Sequence, residues 1–345
     1  MKTDSPLDVI VIGAGLSGLL AAAGLQSGGA RVLVLDKGRG VGGRLATRRT
    51  DSGVFDHGAQ FFTARDPQFH SQVEAWQAAG IVKAWATGFA LADGTYKRDG
   101  ETRFCGVKGM ASIAKHLAHG LDVRVSAKVV RVQTEGRGWV VTTEAGEGFS
   151  GRALLLTPPV PQSLELLATG DFPLPERVRD QLRQIEYAAC LAVLAQLVGP
   201  SRIPEPGGHW FNGEPVSWMA DNQRKGVSTA AGAAVTIHAG QQFSRAHWES
   251  PEGEVTAALL AFAAPWLGSV PVETQLHRWR YSLPLRVHPE RCLVLREPAP
   301  LVFAGDAFGG PRVEGAALSG LAAGAALLEI AGLIARKDTS RASLP

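Results

Sequence analysis

Cysteine is scarce in this chain. Three thiols, Cys105, Cys190 and Cys292, stand far apart in 345 residues. With no C-x-x-C pair and no His/Cys cluster at zinc spacing, they indicate neither a disulfide framework nor a metal site, and they suit a reducing cytoplasm. Charge of one sign is also lacking. The formal net charge is only +3, and the basic residues are dispersed without a long Lys/Arg tract. That speaks against a nucleic-acid footprint and leaves a small or anionic ligand as the better fit. Long hydrophobic runs are few. DVIVIGAGLSGLLAAAGL has no basic region beyond Lys2 and is broken by patterned glycines, unlike a signal peptide. GAALSGLAAGAALLEIAGLIA, from Gly315, approaches membrane-spanning length. Its Glu329 and many small residues indicate instead a helix packed inside protein, and no membrane span is expected.

What is abundant is glycine, at 41 residues, the residue of turns and close backbone approaches. DVIVIGAG reads as a short buried strand ending in glycine, LSGLLAAAGLQSGG as a helix of good formers, and RVLVLD as a second buried strand. This βαβ opening is the start of a doubly wound α/β sheet. RALLLTPP is a further buried strand, stopped by Pro158 and Pro159. After Val160 the texture changes to Pro-rich turns, a helical stretch around ERVRDQLRQIE, and the strand patterns AACLAVLAQLVG, VSWMADN and AAVTIHA. PLVFAGDAF then returns to the style of the opening strand. The expected organisation is a discontinuous nucleotide-binding domain over 1–65, 105–160 and 290–336. A mixed-sheet and helix substrate domain is expected over 66–104 and 161–289, with a flexible tail at 337–345.

Gly13, Gly15 and Gly18 form G-x-G-x-x-G at the strand-to-helix turn. Gly13 permits the turn, Gly15 admits a pyrophosphate to backbone N–H groups, and Gly18 lets helix and strand approach. Ser17 adds a hydroxyl donor. Asp36, followed by Lys37, ends the next strand where an acid can accept from ribose hydroxyls. GRGVGGR adds Gly43 and Arg44, a permanent cation that can fork onto phosphate oxygens, while Arg39, Arg48 and Arg49 read as a solvated basic loop. In LVFAGDAF, Asp306 after Gly305 is placed either to bind a ribityl hydroxyl or simply to start a turn.

The glycine fingerprint with Asp36, the GGR at 42–44 and the later AGD together resemble the FAD-binding pattern of the flavin amine oxidase superfamily. FDHGAQFFTARDPQF, FCGVKGMASIAKHLA, SWMADNQRKG, HRWRYSLP and AGDAFGGPRVEGAALSGLAAG are similar to its renalase-like group. The resemblance runs from about residue 8 to 333. It implies a Rossmann-type FAD-binding domain of the p-hydroxybenzoate hydroxylase and amine oxidase type, with the isoalloxazine between two domains. The covalent flavin link of some relatives needs a cysteine near the C-terminal motif; none lies between Cys292 and Pro345, so FAD is expected to be noncovalent. Val129 would meet the adenine through its backbone. The helix starting near Gly315 and Ala316 would aim its N-terminus at the flavin pyrimidine edge. Gly58, Ala59, Gln60 and Phe61 would pass alongside the ring, their backbone reaching ring atoms. Pocket candidates are Gln60, Phe62, His238, Trp279 and Tyr281, whereas Asp56 and His57 are expected to pair locally at a turn. Arg280 and Arg286 read as surface cations more readily than as phosphate ligands.

The activity so implied is oxidation of 2- or 6-dihydroNAD(P), misreduced isomers of NAD(P)H. Hydride passes to flavin N5 and then to dioxygen, giving NAD(P)+ and hydrogen peroxide, and a hydride acceptor of this kind needs a flat, water-excluding pocket more than a general base. An amine oxidase or desaturase acting on a small amine or polyene, and a flavin-binding module without turnover, are the alternatives. Partners are therefore a dinucleotide and O2, with no nucleic acid or membrane, and no residue pattern specifies an oligomeric state.

Overall fold

The computed structural model describes residues 7–330 apart from 212, together with 332; the tail expected at 337–345 lies outside the described residues. The chain divides into two compact units, one of 1–43, 114–186 and 284–345, the other of 44–113 and 187–283.

The first unit is built on an eight-stranded sheet. Its path runs Leu293–Leu295, Leu301–Phe303, Gly148–Leu156, Leu7–Ile12, Val32–Leu35, Asp122–Arg124, with Gly138–Thr143 branching from Gly148–Leu156 and carrying Val129–Glu135. The opening strand lies parallel between two neighbours, Ile10 pairing with both Leu33 and Leu154. Val9, Val11, Val34 and Leu155 are fully buried, the run of apolar residues that a strand covered on both faces requires. Helix Leu16–Ser27 covers the sheet and packs on helix Arg312–Ile330.

Small residues allow that helix pair to close. A Cβ on Gly320 would sit 2.3 Å from the Ser17 carbonyl oxygen. The Ser17 hydroxyl donates to the Ala316 carbonyl at 2.6 Å. Helix Arg312–Ile330 is long and apolar enough to cross a membrane by length and composition, yet half of its most apolar window is buried within the protein.

Residues 161–186, expected in the substrate domain, belong to this first unit. The Phe172 ring lies 5.0 Å from that of Trp139, and a Cβ on Gly170 would strike the Val132 carbonyl at 1.8 Å. These close approaches tie helix Val160–Ala168 and the turn after it to the antiparallel pair Val129–Glu135 and Gly138–Thr143.

The second unit carries a seven-stranded mixed sheet. Its order is Pro271–Pro284, Tyr187–Leu197, Ala234–Ala239, Val216–Asp221, Gly208–Trp210, Val82–Leu91, Tyr96–Gly106. Leu191, Val193, Met219, Val235 and Ile237 form its core with Leu259 of helix Glu252–Leu267. Residues 44–65, expected with the nucleotide domain, belong here. The two-stranded ribbon of Thr47–Arg49 and Val54–Asp56 is bonded to this unit's residues, Asp56 N–H donating to Asn222 Oδ1 at 3.1 Å and the Thr236 hydroxyl to the Asp56 carbonyl at 2.9 Å.

The packing predicts a contrast between glycines. Gly320→Val should cost about 1–3 kcal/mol through overpacking. Gly24→Ala, in helix Leu16–Ser27 with nothing within 4 Å of the added Cβ, should gain about 0.5–1 kcal/mol. Urea unfolding checks both, and equal midpoints would contradict this account of the helix contact.

Candidate cofactor and substrate site

At the nucleotide end each glycine of the fingerprint has a separate physical reason. Gly13 has φ +106°, and a Cβ there would lie 2.3 Å from Thr157 Oγ1; a Cβ on Gly18 would lie 2.0 Å from the Gly13 carbonyl oxygen. A Cβ on Gly15 would meet nothing within 4 Å, so its lack of a side chain leaves open space at the start of helix Leu16–Ser27. No side chain caps that helix among the described residues. Its first-turn N–H groups and dipole therefore form the cradle that a pyrophosphate fits. Asp36 accepts from Ala14 N–H and Gly38 N–H, both at 2.6 Å. Each carboxylate oxygen retains a lone pair for a hydroxyl. The turn at 42–43 docks on the same loop, Gly42 N–H donating to the Ala14 carbonyl at 2.8 Å. A Cβ on Gly43 would lie 3.5 Å from Gly15 Cα.

Other nucleotide-end residues depart from expectation or extend it. The Ser17 hydroxyl hydrogen is used on Ala316, so Ser17 serves the helix contact and is no phosphate donor through that group. Lys37 is exposed and reaches Gln162 at 3.2 Å. Val129 begins a strand opposite Thr143. Gly305, at φ +140°, donates to Ser319 Oγ at 2.8 Å and is followed by buried Asp306. A Cβ on Gly315 would strike the Gly310 carbonyl at 1.8 Å.

In the second unit, the segment DHGAQFF is organised by an ion pair. Asp56 and Lys225 are both wholly buried, with Nζ 2.7 Å from Oδ2. Asp56 Oδ1 accepts from the Thr47 hydroxyl at 2.6 Å and from Met110 N–H at 2.8 Å. Lys225 Nζ also donates to the Gln60 carbonyl and lies 4.9 Å above the Trp85 ring. Asp56 therefore does not pair locally with His57; its partner is 169 residues away. The Gln60 side chain donates back to the Asp56 and Gly58 carbonyls at 2.6 and 3.2 Å, leaving its buried Oε1 without a partner.

Gly58 is demanded by a chain crossing, since a Cβ would lie 2.1 Å from the Arg44 carbonyl oxygen. The Ala59 N–H donates to that same oxygen at 2.9 Å, so this amide is not free for a ring atom. Arg44 itself donates to the Tyr281 carbonyl at 3.3 Å. Phe62, expected in the pocket, is core: it exchanges backbone hydrogen bonds with Phe104 and packs on Phe69 and Phe104. Phe61 joins Trp85, Phe89, Trp210 and Trp218 in an aromatic cluster.

Around His57 lies a group only partly legible beforehand. The His57 carbonyl accepts from Trp279 Nε1 at 2.8 Å and pairs with His238 Nε2 at 3.1 Å. Its ring centroid is 4.7 Å from His277 and 5.4 Å from Trp279. Residues 277, 279 and 281 alternate onto one strand face, a spacing that identifies His277 as a companion of Trp279 and Tyr281. Tyr281 meets Tyr187 edge-on at 5.5 Å, and Arg280 stacks over Trp248 at 5.1 Å. Burial, then the neighbouring His277, Arg48 and His238, push His57 down to about 3. Burial pushes His238 down to about 4, and burial with Arg48 lowers His277. Burial thus disfavours the protonated form of all three imidazoles. The three cysteines are free, and burial raises each thiol, Cys190 to about 12, so none is poised as a nucleophile. Among the described residues no three acid, histidine or cysteine side chains form a metal-ligating group.

The pH dependence follows from the lowered histidines. The folded pKa of His238, about 4, lies below the ordinary 6.5, so the unfolded chain takes the proton first and stability falls as pH drops from 6.5 toward 4. His238→Asn should make that decline shallower by up to about 1.4 kcal/mol per pH unit. Urea unfolding across this window checks it, and an unchanged slope would contradict a buried neutral His238.

Comparison with known proteins agrees with this geometry. The model of the family "Flavin containing amine oxidoreductase" matches residues 64–328, and that of the "NAD(P)-binding Rossmann-like domain" matches residues 11–75. The chain is 29% identical to renalase of Mus musculus over 293 residues, 79% of this chain and 84% of the mouse protein. It shares its fold with putrescine oxidase bound to putrescine, at TM-score 0.70 and 17% identity, covering 94% of this chain and 99% of the other. A putative protoporphyrinogen oxidase from Exiguobacterium sp. matches at TM-score 0.70 and 14% identity, covering 95% and 99%. With a family model spanning most of its length and an α/β fold that carries the nucleotide cradle, the chain belongs to the flavin containing amine oxidoreductase family.

Proposed function

We propose that this FAD-dependent oxidoreductase oxidises misreduced dihydronicotinamide dinucleotides, the 2- or 6-dihydro isomers of NAD(P)H, to NAD(P)+. The observation that carries the reading is the cluster of His57, His238 and His277 beside Trp279, where burial disfavours the protonated imidazoles. A dihydropyridine gives up a hydride without prior loss of a proton, so its pocket needs flat, neutral walls and not a base. The ring gains positive charge as the hydride leaves, and neutral imidazoles offer no repulsion to it. Similarity to mouse renalase over most of both chains supports the same reading.

The chemistry that FAD supplies when bound is acceptance of the hydride at N5 and delivery of the electron pair to dioxygen, with hydrogen peroxide as product. Gly13, Gly15, Gly18 and Gly43 would leave room for the pyrophosphate at the uncapped helix, and Asp36 would accept from the adenosine ribose. Val129, Gly305, Asp306, Gly315 and Ala316 are proposed to complete the cofactor contacts. Gln60 would offer its unpartnered Oε1, while His238, Trp279 and Tyr281 would line the substrate pocket. Lys225 is held by Asp56 and the Gln60 carbonyl. That ties up the one fully buried lysine among the described residues, which disfavours an amine-oxidase reading that depends on a free lysine.

Stopped-flow reduction of the bound flavin tests this. The 2- or 6-dihydro isomers should bleach it rapidly, whereas ordinary NAD(P)H, putrescine and cyclohexylamine should not. Fast bleaching by an amine alone would replace the proposal with amine oxidation. No bleaching by any of these compounds would leave a flavin-binding module.

A further inference from the structure

Arg48 lies on strand Thr47–Arg49, and its register with Val54–Asp56 sets it opposite Phe55. Directly opposed residues on an antiparallel pair share a face, and alternation returns the chain to that face at His57. The pairing continues through His57 N–H, which donates to the Ala46 carbonyl at 3.2 Å. Thr47 and Asp56 occupy the other face, joined by their own hydrogen bond. The ribbon thus divides its charges: Asp56 points toward Lys225, and Arg48 toward the histidine cluster. Arg48 acts electrostatically on both His57 and His277.

Arg48 is half-buried, and among the described residues its guanidinium has no acid in an ion pair and no hydrogen-bond acceptor. Other arginines withdrawn from water do find acids: Arg103 pairs with Asp99, and Arg224 with Glu205 and Asp221. An unpaired guanidinium withdrawn from water loses hydration that an anion would restore, and its planar fork matches a phosphate. Beside it, His57 is only 5% exposed and its Nδ1 has no partner.

We propose that Arg48 is an anion-binding residue of this pocket and takes a phosphate group of the substrate, while the rings of His57, His277 and Trp279 supply the wall beside it. The identification of that phosphate as the substrate's rests on the dihydronicotinamide reading; the anion site itself does not. Arg48 would then explain discrimination for a nucleotide over a bare amine or a nicotinamide lacking phosphate.

The experiment compares wild-type holoenzyme with Arg48→Gln and Arg48→Lys. Half-saturation for flavin bleaching is measured with a dihydronicotinamide dinucleotide and with the matching riboside, which lacks phosphate. Arg48→Gln should lower the preference for dinucleotide over riboside by about tenfold, the loss of one charge-assisted contact, and Arg48→Lys should recover part of it. An unchanged preference, or equal weakening of both compounds, would overturn the proposal. If wild type is bleached by neither compound, the substrate reading fails, and inorganic pyrophosphate then tests the anion site directly. A rise in thermal midpoint in wild type that disappears in Arg48→Gln supports the site. An equal rise in both, or none in either, overturns it.

Discussion

The candidate site depends on one buried ion pair. Asp56 and Lys225 are wholly removed from water and 2.7 Å apart. Such burial costs several kcal/mol per ion after relaxation, and the mutual attraction offsets it only where the remaining polar atoms are also satisfied. Here they are: Asp56 accepts from Thr47 and Met110, and Lys225 donates to the Gln60 carbonyl. The pair joins a sharp ribbon to a loop far along the chain. It thereby fixes where residues 57 to 60 can lie.

The consequences spread from that anchor. With the Asp56 carbonyl bonded to Thr236 and Gln60, the next carbonyl, that of His57, is free to receive Trp279 and His238. The His57 ring then packs at tilted angles against His277 and Trp279, where burial disfavours its protonation. A charged pair on one face of the ribbon thus positions a histidine wall on the other. The separation is enforced by β alternation, which sends Asp56 and His57 to opposite faces of the ribbon. On the proposed dihydronicotinamide reading, an uncharged histidine wall would not repel the cationic product.

The nucleotide cradle was legible in the sequence because its logic is local. Gly13, Gly15 and Gly18 act within one turn, and Asp36 meets that turn through Ala14. The α/β class followed from buried strands such as VIVI and VLVL for the same reason. Residues whose partners lie far away were read less well. Ser17 looked like a phosphate donor, but its acceptor is 299 positions on. Phe62 and Ala59 looked available until the Phe104 bridge and the Arg44 crossing claimed them. Asp56 gave no sign of Lys225, since neither spacing nor period connects them. The domain boundaries shifted for similar reasons: Trp139 holds Phe172 in the first unit, and Asn222 and Thr236 hold the ribbon in the second. His277 was recoverable, standing two residues before Trp279 on a strand.

The most direct measurement is urea unfolding of Lys225→Met beside the double variant Lys225→Met/Asp56→Asn, with amide exchange followed over residues 56 to 60. If the ion pair anchors the segment, the single variant strands a buried carboxylate and loses about 3–5 kcal/mol, and the double variant recovers much of that loss. Exchange at 56 to 60 should quicken in the single variant before the rest of its unit opens. A single variant that unfolds with the wild type, its segment still protected, would contradict the account.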